Sequence, residues 1–334
     1  VRGRSLVKPF GGLSQMLWLV ARRERGWIGW TTITFAVMYL ATATQMSTLA
    51  PSAADRFNLQ KSLSLAPAMT MLLGRFGHPE TVASTVAWRI GLFMAAALAV
   101  LAALTVVRHT RAEEDAGRLE LLAAGRLGRG SNLAAAVLAA LALVLVVSAA
   151  SSAALVGRGA SASQLAANFV ALMLPALVAI AVAALAAQAV ASARAAKAVA
   201  ISIVLIAYAL RGLSDVRGLE TLTQINPFGW YVAVDPFGDI NIWPAVLSAA
   251  IFGVLACVAF ALDSRRDLGA GLFAVGAGRP HARFLTGPGT LVTRLGWRPL
   301  VGWQVVVVLR GVFVGSLMPD LADLVGTTPQ FKQI

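Results

Sequence analysis

The chain has 334 residues, of which 58% are hydrophobic and only 13% charged, with a mean hydropathy of +0.76. A soluble domain carries about 25% charge, so this composition excludes a water-solvated globule and makes lipid the main solvent. The formal charge of +13 does not imply nucleic acid as a partner, because the basic residues lie between the apolar blocks, where they act as topology signals.

In chain order, Leu13, Met16, Leu17 and Val20 recur at helical spacing and are followed by Arg22, Arg23 and Arg25. Residues 1–26 therefore read as an amphipathic helix on the membrane interface, or as a plain extension of the first span. Spans are predicted near Trp27–Leu49, Ile90–Val107, Leu133–Val156, Leu165–Val190, Ala198–Leu210, Trp243–Leu262 and Leu300–Met318. Most match the roughly 20 residues needed to cross a bilayer. The fifth has 13 residues between Lys197 and Arg211, about 20 Å of helix, which snorkelling end residues can lengthen. The first block is too long for a cleavable signal and lacks a clear cleavage site, so it doubles as the insertion signal. The expected fold is an all-α integral membrane protein. It has a six-span helical bundle over 27–262, a cytoplasmic linker over 263–299 and the first span of a second repeat within 300–334.

Orientation follows from Lys and Arg in alternate segments: those holding residues 1–26, 108–132, 194–197 and 263–299 carry 19, and the intervening ones carry 7. The N-terminus is placed in the cytoplasm of a multi-pass protein of the cell membrane.

Within the first span, Thr31, Thr34, Met38, Thr42 and Gln45 share one helical face. Such a stripe lines an export path through Thr31, Thr34, Thr42 and Gln45, or it serves interhelical hydrogen bonding. Between the second and third spans, residues 108–132 are too polar for the membrane. Glu113, Glu114, Asp115 and Glu120 alternate with Arg111, Arg118 and Arg126 beside a short apolar set, Leu119, Leu121 and Leu122. This is either a docking surface for another protein or a solvated loop of charge pairs.

Beyond the fifth span, Ile225 to Tyr231 form an apolar stretch broken by Pro227 and Gly229. It reads as an interfacial aromatic loop anchored by Trp230, Tyr231 and Trp243, or as backbone broken at membrane depth under a cover of protein. Arg310, inside the seventh block, faces a carboxylate or cavity, or else sits near an interface. His78, His109 and His281 fall in separate loops, so neither a metal site nor a Ser-His triad is expected. The single cysteine, Cys257, permits no internal disulfide.

Gly26-Trp27, an apolar span and Leu49-x-Pro51-x-x-Ala54-Asp55 return as Gly296-Trp297, an apolar span and Leu317-x-Pro319-x-x-Ala322-Asp323. An even number of spans separates the copies, as in a parallel repeat. The chain stops soon after the second motif, which suggests a truncated twelve-span protein.

The run Arg108-His-Thr-Arg-Ala-Glu-Glu-Asp-Ala-Gly-Arg-Leu-Glu-Leu-Leu-Ala-Ala-Gly125 resembles the coupling segment of ATP-binding-cassette exporter permeases related to polyketide-antibiotic (tetronasin-type) efflux. Asp115, Gly117, Leu119, Glu120, Leu121 and Leu122 also follow a looser pattern of type 2 exporter permeases. Ala87-Trp88-Arg89 and Asn226-Pro227-Phe228-Gly229-Trp230 extend the likeness. The resemblance implies that Glu113, Glu114, Asp115, Gly117, Leu119, Glu120, Leu121 and Leu122 couple the spans to a separate cytoplasmic ATPase subunit. It implies further that the segment around Asn226 forms paired short re-entrant helices. The sequence has no G-x-x-x-x-G-K-[ST] phosphate loop, so ATP and Mg belong on the partner and this chain needs no cofactor. The expected function is non-enzymatic export of a hydrophobic or amphipathic small molecule, such as an antibiotic or drug. The alternatives are a lipid-exporting permease and an ion-coupled transporter. The last is disfavoured because the assigned spans hold no Asp or Glu.

Overall fold

The structure, a computed structural model, describes residues 10–119 except 76, residues 128 and 130–266, and scattered positions from 287 to 311. These fall into two units, Val1–Leu65 with Thr70–Val275, and Ala66–Met69 with Gly276–Ile334. Among the described residues all regular elements are helices: α1 (Leu13–Leu49), α2 (Ala53–Ser64), α3 (Pro67–Leu73), α4 (Val82–His109), α5 (Arg111–Asp115), α6 (Ser131–Ala153), α7 (Ala162–Ala189), α8 (Ala193–Arg217), α9 (Glu220–Gln224), α10 (Pro227–Ala233) and α11 (Trp243–Arg265).

Helix α1 runs unbroken through Gly26 and Gly29, so the amphipathic segment and the first span form one 37-residue rod. No proline interrupts it, and Met16 and Val20 of its first turns pack on Ala135 and Ala139 of α6. The rod stops before Pro51, whose ring disfavours a helical residue ahead of it, and Ala50 leaves the helical region at φ −138°, ψ 68°. Ser52 and Asp55 then form a reciprocal capping box that opens α2, and the chain bends by 108°. Buried Arg56 donates to Ala50 O at 3.1 Å and Pro51 O at 2.8 Å, satisfying carbonyls that the end of α1 leaves unpaired. It also reaches Pro79 O and Glu80 O, stapling the corner to the loop before α4. The Leu-x-Pro-x-x-Ala-Asp motif is thus a helix stop followed by a cap.

Among the described residues, five helices are long and apolar enough to cross a membrane: α4 continued by α5, α6, α7, α8 and α11; α1 with bent α2 makes a sixth. The centre is built by α4, α6 and α7. Their contact faces carry Ala95, Ala99, Ala102, Ala140, Ala171, Ala179 and Ala183, all buried, so the backbones approach closely. In contrast, α11 buries 11% of its most apolar stretch against 61% for α7, leaving most of its apolar surface exposed. Pro175, inside α7, removes one intrahelical bond; the adjacent Leu174 carbonyl accepts a bond from Ser248 of α11 at 3.1 Å.

The fifth span is longer than the sequence suggests: α8 has 25 residues and continues past Leu210. It can do so because Arg211 pairs with Asp215 one turn on, Nη1 to Oδ2 at 2.8 Å, and also donates to Met71 O at 2.8 Å. A charge that ends a span in isolation is neutralised here within the helix. His109 is likewise not in a loop but on the last turn of α4, buried.

Beyond α8, two short helices replace an aromatic loop. Asn226 Oδ1 caps α10 by accepting from Phe228 N at 2.9 Å, while its Nδ2 donates to Ala207 O. Phe228, Trp230 and Tyr231 are buried rather than interfacial. Gly229 is required by close approach, since a Cβ there would lie 2.0 Å from Thr223 O. In the smaller unit, residues 288–293 are helical, and Leu300, Val301, Gln304, Val307 and Gly311 are helical positions of the seventh block. Arg310 and the second proline motif lie outside the described residues.

Candidate functional site: a charge-paired turn at one end of the bundle

At the end of α4 the helix breaks at Thr110, with φ −112° and ψ −92°. The Thr110 hydroxyl turns back to Val106 O at 2.7 Å, and one further turn, α5, follows. Gly117 closes that turn at φ +68°, donating its N–H to Glu114 O at 2.8 Å. A Cβ at Gly117 would meet nothing, so the position needs glycine for its left-handed backbone and not for space.

The three acids of this turn reach three different parts of the bundle. Glu113 accepts from Arg23 of α1 at 2.6 Å and from Arg118 at 2.5 Å. Its carboxylate holds the Arg118 guanidinium above the ordinary arginine value. Glu114 lies between two buried guanidiniums, those of Arg111 and of Arg266 at the end of α11. Arg266 also donates to Gln188 of α7 at 2.9 Å, and Arg111 donates to Val190 O, just past the end of α7. Asp115 accepts from Ala193 N at 2.7 Å, so a carboxylate sits on the positive end of α8. Behind these, buried Glu24 of α1 accepts from Arg108 and, at 2.5 Å, from His109.

The turn is therefore pinned to α1, α7, α8 and α11 by charge-assisted bonds. Glu114, Arg111 and Arg266 expose 6%, 0% and 5% of their side chains, which places the central pairs away from the screening that weakens surface ion pairs. Of the residues singled out in the sequence, Glu113, Glu114 and Asp115 are brought together here, but on internal partners. Leu119 is buried, and Gly117 is partly exposed. Glu120, Leu121 and Leu122 lie outside the described residues.

The polar stripe on α1 divides. Thr31 and Thr42 face the bundle, whereas Thr34, Met38 and Gln45 are exposed. The buried line is Thr31, Phe35, Tyr39, Thr42 and Met46. Thr34 and Thr42 each donate to the carbonyl four residues back, at 2.8 Å, so both hydroxyls are satisfied within their own helix.

At the opposite end of α4 lies a cavity of about 310 Å3 lined by Trp88, Leu92, Tyr231 and Phe237. On its rim His78 Nε2 meets Asp235 at 3.0 Å, joining the loop before α4 to the loop after α10. Asp235 sits at φ +44°, and its carboxylate accepts from Asp239 N at 3.3 Å. Among the described residues no three His, Cys, Asp or Glu side chains converge as metal ligands.

Sequence reasoning missed Glu24, Arg108, His109, Gln188 and Arg266. One signal was available: Glu24 is the lone acid in the run Arg22-Arg23-Glu24-Arg25 of an otherwise apolar helix, and such an acid needs a distant cation.

Residues 13–262 match the family described as "Multidrug efflux system permease Rv1217c, C-terminal domain". The "Multidrug efflux system permease protein Rv1217c" of Mycobacterium tuberculosis (strain ATCC 25618 / H37Rv) is 32% identical over 330 residues, which cover 97% of this chain and 59% of that protein. The chain thus spans about three-fifths of that relative's length.

Proposed function

This chain belongs to the multidrug efflux permease family of that description, and on this premise we propose that it is the membrane-spanning permease part of an ATP-driven exporter. Its cargo is a hydrophobic or amphipathic small molecule of the antibiotic or drug type. ATP is hydrolysed, with Mg, on a separate cytoplasmic ATPase subunit seated against residues 111–122. The permease itself is not an enzyme. The N-terminus and α5 face the cytoplasm, as the bias of basic residues indicates.

The observation that carries this reading is the pinning of α5. A coupling segment must be joined stiffly to the helices it moves, and Glu113, Glu114 and Asp115 tie this turn to α1, α11 and α8. In this reading Gly117, Glu120, Leu121 and Leu122 form the part that engages the ATPase, buried Leu119 supports that part from within the chain, and the three preceding acids anchor the turn to the bundle. Nucleotide-driven closure of the ATPase displaces α5, and the displacement reaches the ends of α8 and α11 through these pairs. An export path along Thr31 and Thr42 suits a stripe partly turned into the bundle. An ion-coupled mechanism is less well supported, because the buried acids Glu24 and Asp215 are already held by guanidiniums.

Pull-down of the ATPase from membranes co-expressing both subunits tests the docking half of the proposal. Glu120→Ala is expected to lower recovery at least tenfold, as loss of one charge-paired interface partner costs about 2–5 kcal/mol. Normal recovery at normal expression contradicts the assignment of this segment as the docking surface.

A further inference from the structure

Between α1 and α6 lies an open groove of about 600 Å3 whose walls include Leu17, Ile28, Ile33, Leu138 and Val146. Gly29 contributes no side chain, and a Cβ there would meet nothing within 4 Å. Two charged residues line the groove, Glu24 and Arg25. Glu24 is buried and engaged by Arg108 and His109, so its charge is matched from behind. Arg25 is exposed, and among the described residues no carboxylate pairs with it. Arg22 lies three residues away on neighbouring surface, its guanidinium 5.4 Å from the Trp18 ring. Trp18, Trp27 and Trp30 are exposed around this stretch, the residue type that gathers at the depth of lipid headgroups.

We propose that this groove holds one anionic phospholipid of the membrane. Its phosphate sits on Arg25, within reach of Arg22, and one acyl chain lies over Gly29 toward Ile33 and Val146. Charge complementarity selects the occupant: the groove is apolar along its length and offers an unmatched cation at one level only. A zwitterionic lipid fills the apolar part equally well but brings its own cation to Arg25. A basic side chain near a membrane surface favours anionic lipid by about fivefold. Two such side chains three residues apart give a larger preference.

The test is native mass spectrometry of the full chain in detergent, supplied with equal phosphatidylglycerol and phosphatidylcholine. The expected result is one phosphatidylglycerol retained per chain, favoured over phosphatidylcholine by about fivefold or more. Arg25→Gln should lower the preference by about fivefold and Arg25→Lys should keep it. Gly29→Leu, which places a side chain in the groove, should reduce retention of both lipids. Arg217→Gln, a cation elsewhere on the surface, should change nothing. Circular dichroism at wild-type helix content establishes that each variant is folded. Undiminished preference in folded Arg25→Gln overturns the proposal. So does equal retention of the two lipids by the unaltered chain, or a lipid-free dimer in which a second copy covers the groove.

Discussion

Glu114 is placed between two cations, and this makes the two ends of the α5–α11 connection unequal. Removing its carboxylate, as in Glu114→Gln, leaves Arg111 and Arg266 facing each other, both nearly inaccessible to water. Breaking a buried pair from one side costs about 3–5 kcal/mol because the other charge remains desolvated, and here two guanidiniums lose the carboxylate they share. Arg266→Gln is milder: Glu114 keeps Arg111, and Arg111 keeps the Val190 carbonyl. It loses the two bonds to Glu114 and the bond to Gln188, but the Glu114–Arg111 pair that remains is neutral and no like charges are left side by side. Unfolding in mixed micelles, followed by the loss of helical dichroism, should rank the variants wild type, Arg266→Gln, Glu114→Gln in falling stability. The double variant should be less destabilised than the sum of the single ones, since both changes break the same Glu114–Arg266 connection. Equal single effects, or strict additivity, would refute the arrangement of one carboxylate between two guanidiniums.

Two further outcomes follow from the packing and the topology. Gly91→Ala should destabilise the bundle by about 1–3 kcal/mol, because its Cβ would lie 1.9 Å from Tyr231 Oη, and Tyr231→Phe, which removes that oxygen, should restore part of the loss in the same unfolding assay. In a Cys257→Ala background, a cysteine at exposed Ser161 should react with an impermeant thiol reagent applied to whole cells, and one at exposed Arg118 should react only after permeabilisation; the reverse pattern inverts the orientation.

The helical bundle was legible because its information is local. Long apolar blocks, the proline after Leu49 and the Ser52–Asp55 box each announce a span or its end within a few residues. The fifth span came out short because Arg211 reads as a boundary when its partner Asp215, one turn later, is not considered. The segment around Trp230 offered two readings, and its burial depends on α4, α7 and α8 closing over it, which no local pattern encodes. The acids of α5 were visible as a cluster, but their direction was not. Glu113, Glu114 and Asp115 look outward in a one-dimensional reading, yet they bind Arg23, Arg266 and Ala193, which are 90, 152 and 78 residues away. Pairings over such separations are set by helix packing, and the residues that complete them were therefore missed.

In the proposed mechanism, α5 passes motion from an ATPase to the spans through Glu114. Drug-stimulated ATP hydrolysis by the assembled permease–ATPase complex in membranes tests it most directly, with Glu114→Gln compared against the unaltered chain at equal recovery of the ATPase. The proposal predicts that the ATPase still binds, because the residues proposed to engage it, from Gly117 onward, are untouched, while stimulation by the drug falls at least tenfold. Wild-type stimulation in a folded, fully assembled Glu114→Gln complex would contradict it.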